Sequence, residues 1–409
     1  MLLENLISMW WITLVAVLAP ILALVTRRTV PDAVWLLAFG ALIGPHALGL
    51  AEPTESVEFL RELGLGLLFL LAGFEVNPRD MRSRQGRQAA LTWLLCAALG
   101  FGAAMLFVGG DVQIAVVLAI ASTSTALGTL LPILKDSGVI ESPLGRSVMV
   151  HGAFGELLPI VAMSLLLSTR GSWQAAIVLI VFAVAAVATV AIPSRFFRHV
   201  PLLGRSFAAA ANTTMQTTVR VTFLILVTLM MLTAVLELDV ALGAFTAGLL
   251  VSSVLRAKNP EHAQEVMHKI EVVGFSLLIP VFFVTSGMEI DVAAVLARWP
   301  MLLAFTATIL LVRGLPVFLR EQWTSTDSGL ATRPERAALG LYAATGLPMI
   351  VAVTQIAVSS ELISETIASV LVTAGAVTVL IFPLAAGQLM RRGASTPSAD
   401  GSVPASAPR

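Results

Sequence analysis

The sequence predicts an all-α polytopic membrane protein: about thirteen transmembrane helices in two inverted-topology repeats, with two broken helices crossing at mid-membrane. Three observations predict it. Of 409 residues, 57% are hydrophobic and only 12% are charged, about half the charged fraction of a typical soluble domain. Apolar runs of about 20 residues, long enough to cross the hydrocarbon core of a bilayer, recur from end to end. A short motif also recurs seven spans apart, an odd number, so its two copies run in opposite directions.

Hydropathy and breaks place the spans at 8–26, 33–50, 59–76, 88–109, 112–134, 145–168, 173–192, 217–237, 240–255, 270–288, 300–320, 338–358 and 366–390. Cytoplasmic loops carry the excess of Lys and Arg. With thirteen spans, 21 of the 25 basic residues fall on one side, Arg61, Arg170 and Arg298 on the other, and Arg313 inside a span. The asymmetry predicts an outside N-terminus and a cytoplasmic C-terminus. The first 25 residues lack a basic leader and a small-residue cleavage site, so they read as the first span rather than a signal peptide. After Arg392 a Pro-, Ser-, Ala- and Gly-rich stretch has nothing to pack and reads as a disordered tail, with no soluble regulatory domain after it.

The 25 basic and 25 acidic residues cancel, and no basic cluster is interleaved with aromatics, so nucleic acid is not an expected partner. The single cysteine, Cys96, lies in an apolar run and is expected to pack as a small apolar side chain. No G-x-G-x-x-G stands in a strand-to-helix setting. No cofactor is expected.

The repeated motif is Gly73-Phe74-Glu75-Val76-Asn77 at the end of the third span and Gly287-Met288-Glu289-Ile290-Asp291 at the end of the tenth, an offset of 214 residues. Six spans on either side of the seventh then form the two halves. The organisation expected is a first repeat over 1–168, a linker helix and loop over 169–216, a second repeat over 217–390 and a tail over 391–409. Transporters built this way hold their ions at mid-membrane, between interrupted helices. Corresponding spans carry such interruptions: Ser122, Thr123, Ser124 and Thr125 in the fifth, and Thr345-Gly346-Leu347-Pro348 in the twelfth. The same small residues also suit tight helix contacts.

Two ionisable residues lie deep in spans. Glu156 is 11 residues into the sixth span, about 16 Å, and Arg313 is 13 residues into the eleventh, about 20 Å. Both depths are near the middle of a core about 30 Å thick, where charges are paired or line a hydrated path. Glu156, preceded by Gly155 and followed by Pro159, could trade a proton for a cation. Arg313 stays charged and serves as a fixed counter-charge, either neutralising Glu156 or holding the carbonyls of a broken helix. His151, toward the start of the sixth span, is a weaker candidate for sensing pH and would otherwise be hydrated. Glu75, Glu289 and Asp291 sit at helix ends, where capping or solvated roles are expected.

Three stretches, Gly40 through Leu50, Leu68 through Arg79 and Ile279 through Asp291, together with the hydroxyl run of the fifth span, resemble the monovalent cation/proton antiporter superfamily. The branch is the one with Kef-type potassium/proton and Nap-type sodium/proton exchangers. The resemblance implies a homodimer with a dimerisation domain of spans 1–3 and 8–10, a linker helix as span 7, and a mobile core of spans 4–6 and 11–13 moving like an elevator. It implies an essential carboxylate at Glu156 and a basic partner at Arg313. The cation site would then comprise Glu156, Ser122, Thr123, Ser124, Thr125, Thr345 and Gly346. Relatives carry an acid pair, Asn-Asp or Gln-Asp where this chain has Gly155-Glu156, so Gly155 offers no oxygen beyond its backbone.

One titratable carboxylate beside an always-charged arginine makes one cation per proton the simplest cycle, an electroneutral exchange. Sodium and potassium both remain open as substrates. The expected location is a bacterial inner membrane, consistent with 22 Arg against 3 Lys. Rival readings are an organic-anion symporter, which would want more deep cations than Arg313, and a channel lined by the same breaks. A membrane-embedded enzyme would need a mid-membrane catalytic constellation, and only His151 lies near a deep acid.

Overall fold

In hydrocarbon a backbone must satisfy its own hydrogen bonds, and an apolar chain of this kind does so as helices. A computed structural model describes residues 2–26, 30–166, 172–199 and 217–394, among which every regular element is helical. In chain order these are α1 (Leu2–Val25), α2 (Asp32–Ile43), α3 (Glu55–Glu75), α4 (Pro78–Arg82), α5 (Arg84–Phe107), α6 (Val112–Thr123), α7 (Leu127–Asp136), α8 (Pro143–Leu166) and α9 (Ser172–His199). There follow α10 (Thr217–Val235), α11 (Val240–Lys258), α12 (Pro260–Val273), α13 (Ile279–Met288), α14 (Val292–Ala297) and α15 (Trp299–Ile309). The chain closes with α16 (Leu315–Trp323), α17 (Arg333–Ala343), α18 (Leu347–Ser359) and α19 (Glu365–Ala394).

Each predicted span overlaps one or two of these helices, and among the described residues 10 helical stretches are long and apolar enough to cross a membrane. The second span is shorter than expected. α2 stops at Ile43 because Gly44, preceding Pro45, is extended at φ −70° and ψ 175°, the conformation that a following proline enforces. The last helix runs past the expected boundary at 390, to Ala394. The rest of the expected tail and the loop over 200–216 lie outside the described residues, as do Arg27, Arg28, Arg170, Arg205 and Arg409 of the charge count.

Alternating helix directions bring Arg84, Lys135, Arg146, Arg256, Arg320 and Arg333 to one end, which we call the basic end, and Arg61 and Arg298 to the other. α3 lies against α11 without side chains between them: a Cβ at Gly73 would strike the carbonyl of Phe245, and one at Gly248 the carbonyl of Leu70. Small residues permit this approach where lipid offers no hydrophobic drive for association. Leu106 and Phe107 of α5, Val184 of α9 and Leu224 of α10 are exposed, as apolar side chains facing lipid are.

Two further irregularities accompany prolines. The five-residue π-turns Gly274–Leu278 and Leu310–Gly314 precede Pro280 and Pro316, each the second residue of the next helix. Proline lacks the amide that would close the regular ladder, and its ring pushes the carbonyl four residues back, so the turn widens. The second π-turn carries Arg313.

Candidate functional site

The fifth span is α6 and α7, parted at Ser124–Ala126, and the twelfth is α17 and α18, parted at Ala344–Gly346. Ser124 is extended (φ −72°, ψ 154°), and Gly346 has φ −138° and ψ 32°. The two breaks meet. Ala126 N donates to Thr345 O at 2.6 Å and Thr125 Oγ1 to Ala343 O at 2.5 Å, while Ser124 Oγ lies 3.0 Å from Ala121 O of its own turn and 3.3 Å from Gly346 O across the break. Thr125 N donates to Gly155 O at 2.9 Å, tying α8 to the crossing.

Glu156 lies on α8 and is 3% exposed. Its Oε1 accepts from Leu127 N, the first amide of α7, at 2.8 Å. The carboxylate therefore sits at the positive end of a half-helix, where backbone dipoles favour an anion. Its Oε2 is buried with no hydrogen-bond partner.

Arg313 is fully buried, and among the described residues it makes no ion pair with Glu156. Its Nη2 donates to Thr125 Oγ1 at 3.0 Å and His151 O at 3.1 Å, and its Nε is 3.3 Å from Ala343 O. The guanidinium thus stands at the carbonyl end of α17, which favours a cation. Each deep charge is compensated by a different half-helix, which is why they need not touch. Of the two roles the sequence left open for Arg313, its contacts are those of a group holding broken-helix carbonyls. Gly155 makes room for Thr125 and for it: a Cβ there would strike the Thr125 side chain and lie 2.8 Å from Nη2 of Arg313.

The remaining expected site residues divide. Ser124, Thr125, Thr345 and Gly346 are at the crossing, where Thr345 contributes its carbonyl while its hydroxyl donates to Leu341 O at 3.2 Å. Ser122 and Thr123 are not brought there: both hydroxyls donate to Ala119 O, at 3.2 and 2.7 Å. A Cβ at Gly100 of α5 would lie 3.2 Å from Ser122 Oγ and from Thr123 Cγ2, so these two side chains serve the α5–α6 contact. The reason is local: α6 continues through Thr123, and a helical Ser or Thr bonds the carbonyl three or four residues back.

His151 is buried rather than hydrated. Its Nε2 is 3.7 Å from Glu321 Oε1, and Glu321 Oε2 accepts from Thr326 at 2.7 Å and Ser328 at 2.6 Å. Glu321 was not among the candidates, because a carboxylate at a span end reads as interfacial. The available signal is spacing: it follows Arg313 by eight residues, about two turns, on the same helical face. Cys96 packs against Arg313, with Sγ 3.9 Å from Nη1. Of the helix-end acids, Asp291 caps α14 by accepting from Ala294 N at 2.9 Å, Glu289 accepts from Arg61 Nη1 at 2.5 Å, and Glu75 has a buried, unpartnered Oε2.

Among the described residues no group of three or more His, Cys, Asp or Glu could hold a metal ion. The chain's fold is that of a solved antiporter. The sodium proton antiporter MjNhaP1 from Methanocaldococcus jannaschii superposes with a TM-score of 0.68 over 95% of this chain and 99% of its own, at 18% identity. In sequence the chain is 24% identical over 404 residues to the protein YjbQ of Bacillus subtilis (strain 168), covering 93% of this chain and 62% of YjbQ. It is 24% identical over 340 residues to the Na(+)/H(+)-K(+) antiporter GerN of Bacillus cereus, covering 78% of this chain and 82% of GerN. The chain therefore spans about three fifths of one relative and four fifths of the other. The family model for the transmembrane region of sodium/hydrogen exchangers matches residues 13–392, and the chain belongs to that family.

Proposed function

We propose that this protein is a secondary active antiporter that exchanges a monovalent cation, sodium or potassium, for protons. The observation that carries this reading is the environment of Glu156. It is buried at the meeting of two helix breaks, takes one oxygen to the amide end of α7 and leaves the other without a partner. Such an oxygen can hold a proton or a dehydrated cation, but not both at once. Competition for one carboxylate is the simplest way to couple two fluxes in opposite directions. The carbonyl of Gly346 and the hydroxyls of Ser124 and Thr125 supply neighbouring oxygens suited to a sodium- or potassium-sized ion.

Arg313 is held by Thr125, Ala343 and His151. It keeps its charge throughout the cycle, so only Glu156 changes charge and the exchange is electroneutral. The two breaks form one unit with α5, α8 and Arg313, and α2, α3, α11 and α13 form another. Movement of the first against the second as an elevator would expose Glu156 to each side in turn. We further propose thirteen crossings as two inverted repeats, over 1–168 and 217–390, and a homodimer formed through spans 1–3 and 8–10. The N-terminus would be outside and the basic end would face the cytoplasm of a bacterium.

Acridine-orange dequenching in inside-out vesicles from an antiporter-deficient bacterium tests the exchange. Sodium, potassium and lithium are added in turn, with Glu156→Gln as control. Dequenching by a cation in wild type and none in Glu156→Gln is expected. Full activity in Glu156→Gln, with the protein in the membrane, removes the assignment.

A further inference from the structure

A cavity of about 260 Å³ opens between α3, α7 and α12, toward the basic end, and its walls include Glu75, Gly128, Lys135 and Glu271. It runs along α7 from Lys135 to Gly128, seven residues and about 10 Å. Gly128 is the neighbour of Leu127, whose amide holds Glu156 at 2.8 Å. A cavity of about 730 Å³ at the opposite end descends along α8 only to Met163, also about 10 Å short of Glu156.

The charges in the smaller cavity do not all cancel. Lys135 Nζ is 3.5 Å from Glu271 Oε1, which leaves Glu75 as the uncompensated group. Its Oε2 is sealed from solvent with no hydrogen-bond partner. Arg256 donates to Phe74 O at 2.9 Å, and among the described residues it forms no ion pair with this carboxylate. The motif counterpart, Glu289, lines the larger cavity but is held by Arg61 at 2.5 Å. A carboxylate oxygen sealed from water without a partner is unfavourable unless something else satisfies it. A cation approaching this end also meets a surface dominated by arginine, which repels it.

We propose that Glu75 is a second cation-binding carboxylate, a station for a partly dehydrated monovalent cation on its way between the basic end and Glu156. One negative charge in excess matches one monovalent ion, and the apolar walls would strengthen the attraction by lowering the local dielectric. The station rests on the exchange reading above and adds a site to it.

The test is the cation dependence of dequenching in inside-out vesicles, where the cation enters at the proposed cytoplasmic end. Glu75→Gln should raise the apparent KM about three- to tenfold, the loss expected for one partly screened charge contact, with the effect confined to KM. Glu75→Asp should restore it to within about twofold. Lys135→Gln, which frees Glu271 and makes the cavity more negative, should lower KM and covers the case in which Glu75→Gln does not reach the membrane. Unchanged KM in folded Glu75→Gln, a loss of maximal rate without a change in KM, or a raised KM in Lys135→Gln overturns the proposal. Wild-type dequenching with unaltered KM in both variants would remove only the station. Absence of dequenching in wild type would remove the exchange reading and the station together.

Discussion

Arg313 Nη2 lies 3.0 Å from Thr125 Oγ1, and that hydroxyl donates in turn to Ala343 O. One arginine and one threonine thereby clasp the two helix breaks and α8 together. A guanidinium can reach several acceptors in one plane, and an ammonium cannot. Replacing Arg313 with Ala should remove the donor to His151 O and Thr125 Oγ1 and one of the two donors to Ala343 O, and destabilise the protein by about 3 kcal/mol or more. Arg313→Lys should recover only part of that. Thermal unfolding of the purified protein in detergent measures both, and equal melting of Arg313→Ala and wild type would refute the clasp.

The row of four hydroxyls should separate by experiment as it does in space. Thr125→Val removes both the donor to Ala343 O and the acceptor for Arg313, so it should cost about 1–3 kcal/mol and raise the apparent cation KM. Ser122→Ala and Thr123→Val, whose hydroxyls bond only within α6, should leave KM within about twofold, since such bonds contribute about 1 kcal/mol or less. Equal effects on KM from both groups would return Ser122 and Thr123 to the cation site.

Gly155 should tolerate no side chain. A Cβ there would strike Thr125 Oγ1 and lie 2.6 Å from Thr125 Cβ and 2.8 Å from Arg313 Nη2, and overpacking of this kind costs about 1–3 kcal/mol. Gly155→Ala should therefore lower the melting temperature and impair exchange. Gly102→Ala on α5, where a Cβ meets nothing within 4 Å, should stabilise by about 0.5–1 kcal/mol through helix propensity. A neutral Gly155→Ala would mean that both Thr125 and Arg313 can retreat.

Asp239, between α10 and α11, caps α11 by accepting from Ala241 N at 2.8 Å. Burial pushes its carboxyl up to about 6, against the lowering effect of the Ala241 amide. With the folded value raised above the unfolded one, the unfolded state ionises first as pH rises. The contribution of Asp239 to stability is therefore greatest below about pH 4 and is lost as pH rises through about 6. Asn caps as well as Asp, so Asp239→Asn should melt at increasingly higher temperature relative to wild type between pH 4 and pH 7. A difference that does not vary with pH would show that Asp239 stays ionised throughout.

The sequence by itself determined the helices and the depth of the charges, because a bilayer permits few structures and penalises every stray charge in it. Glu156 and Arg313 were visible as ionisable residues at mid-span, and Ser122–Thr125 and Thr345–Pro348 as stretches within which a helix loses its ladder. Even the shortened α2 has a local cause in Gly44-Pro45. Which groups meet was decided by the tertiary structure alone. Arg313 and Thr125 are 188 residues apart, and no spacing rule says that the amide end of α7 turns to Glu156 while the carbonyl end of α17 turns to Arg313. Those two half-helices supply the compensation that a direct ion pair would otherwise provide. Ser122 and Thr123 likewise could not be told from Thr125 until the point where α6 stops was known, since a hydroxyl inside a helix bonds its own turn and that of Thr125, beyond its end, reaches Ala343 O; Ser124, at the boundary, lies near both Ala121 O and Gly346 O. Glu75 stood in a motif shared with Glu289, and only packing gave one of them an arginine and left the other an unpartnered oxygen beside a cavity.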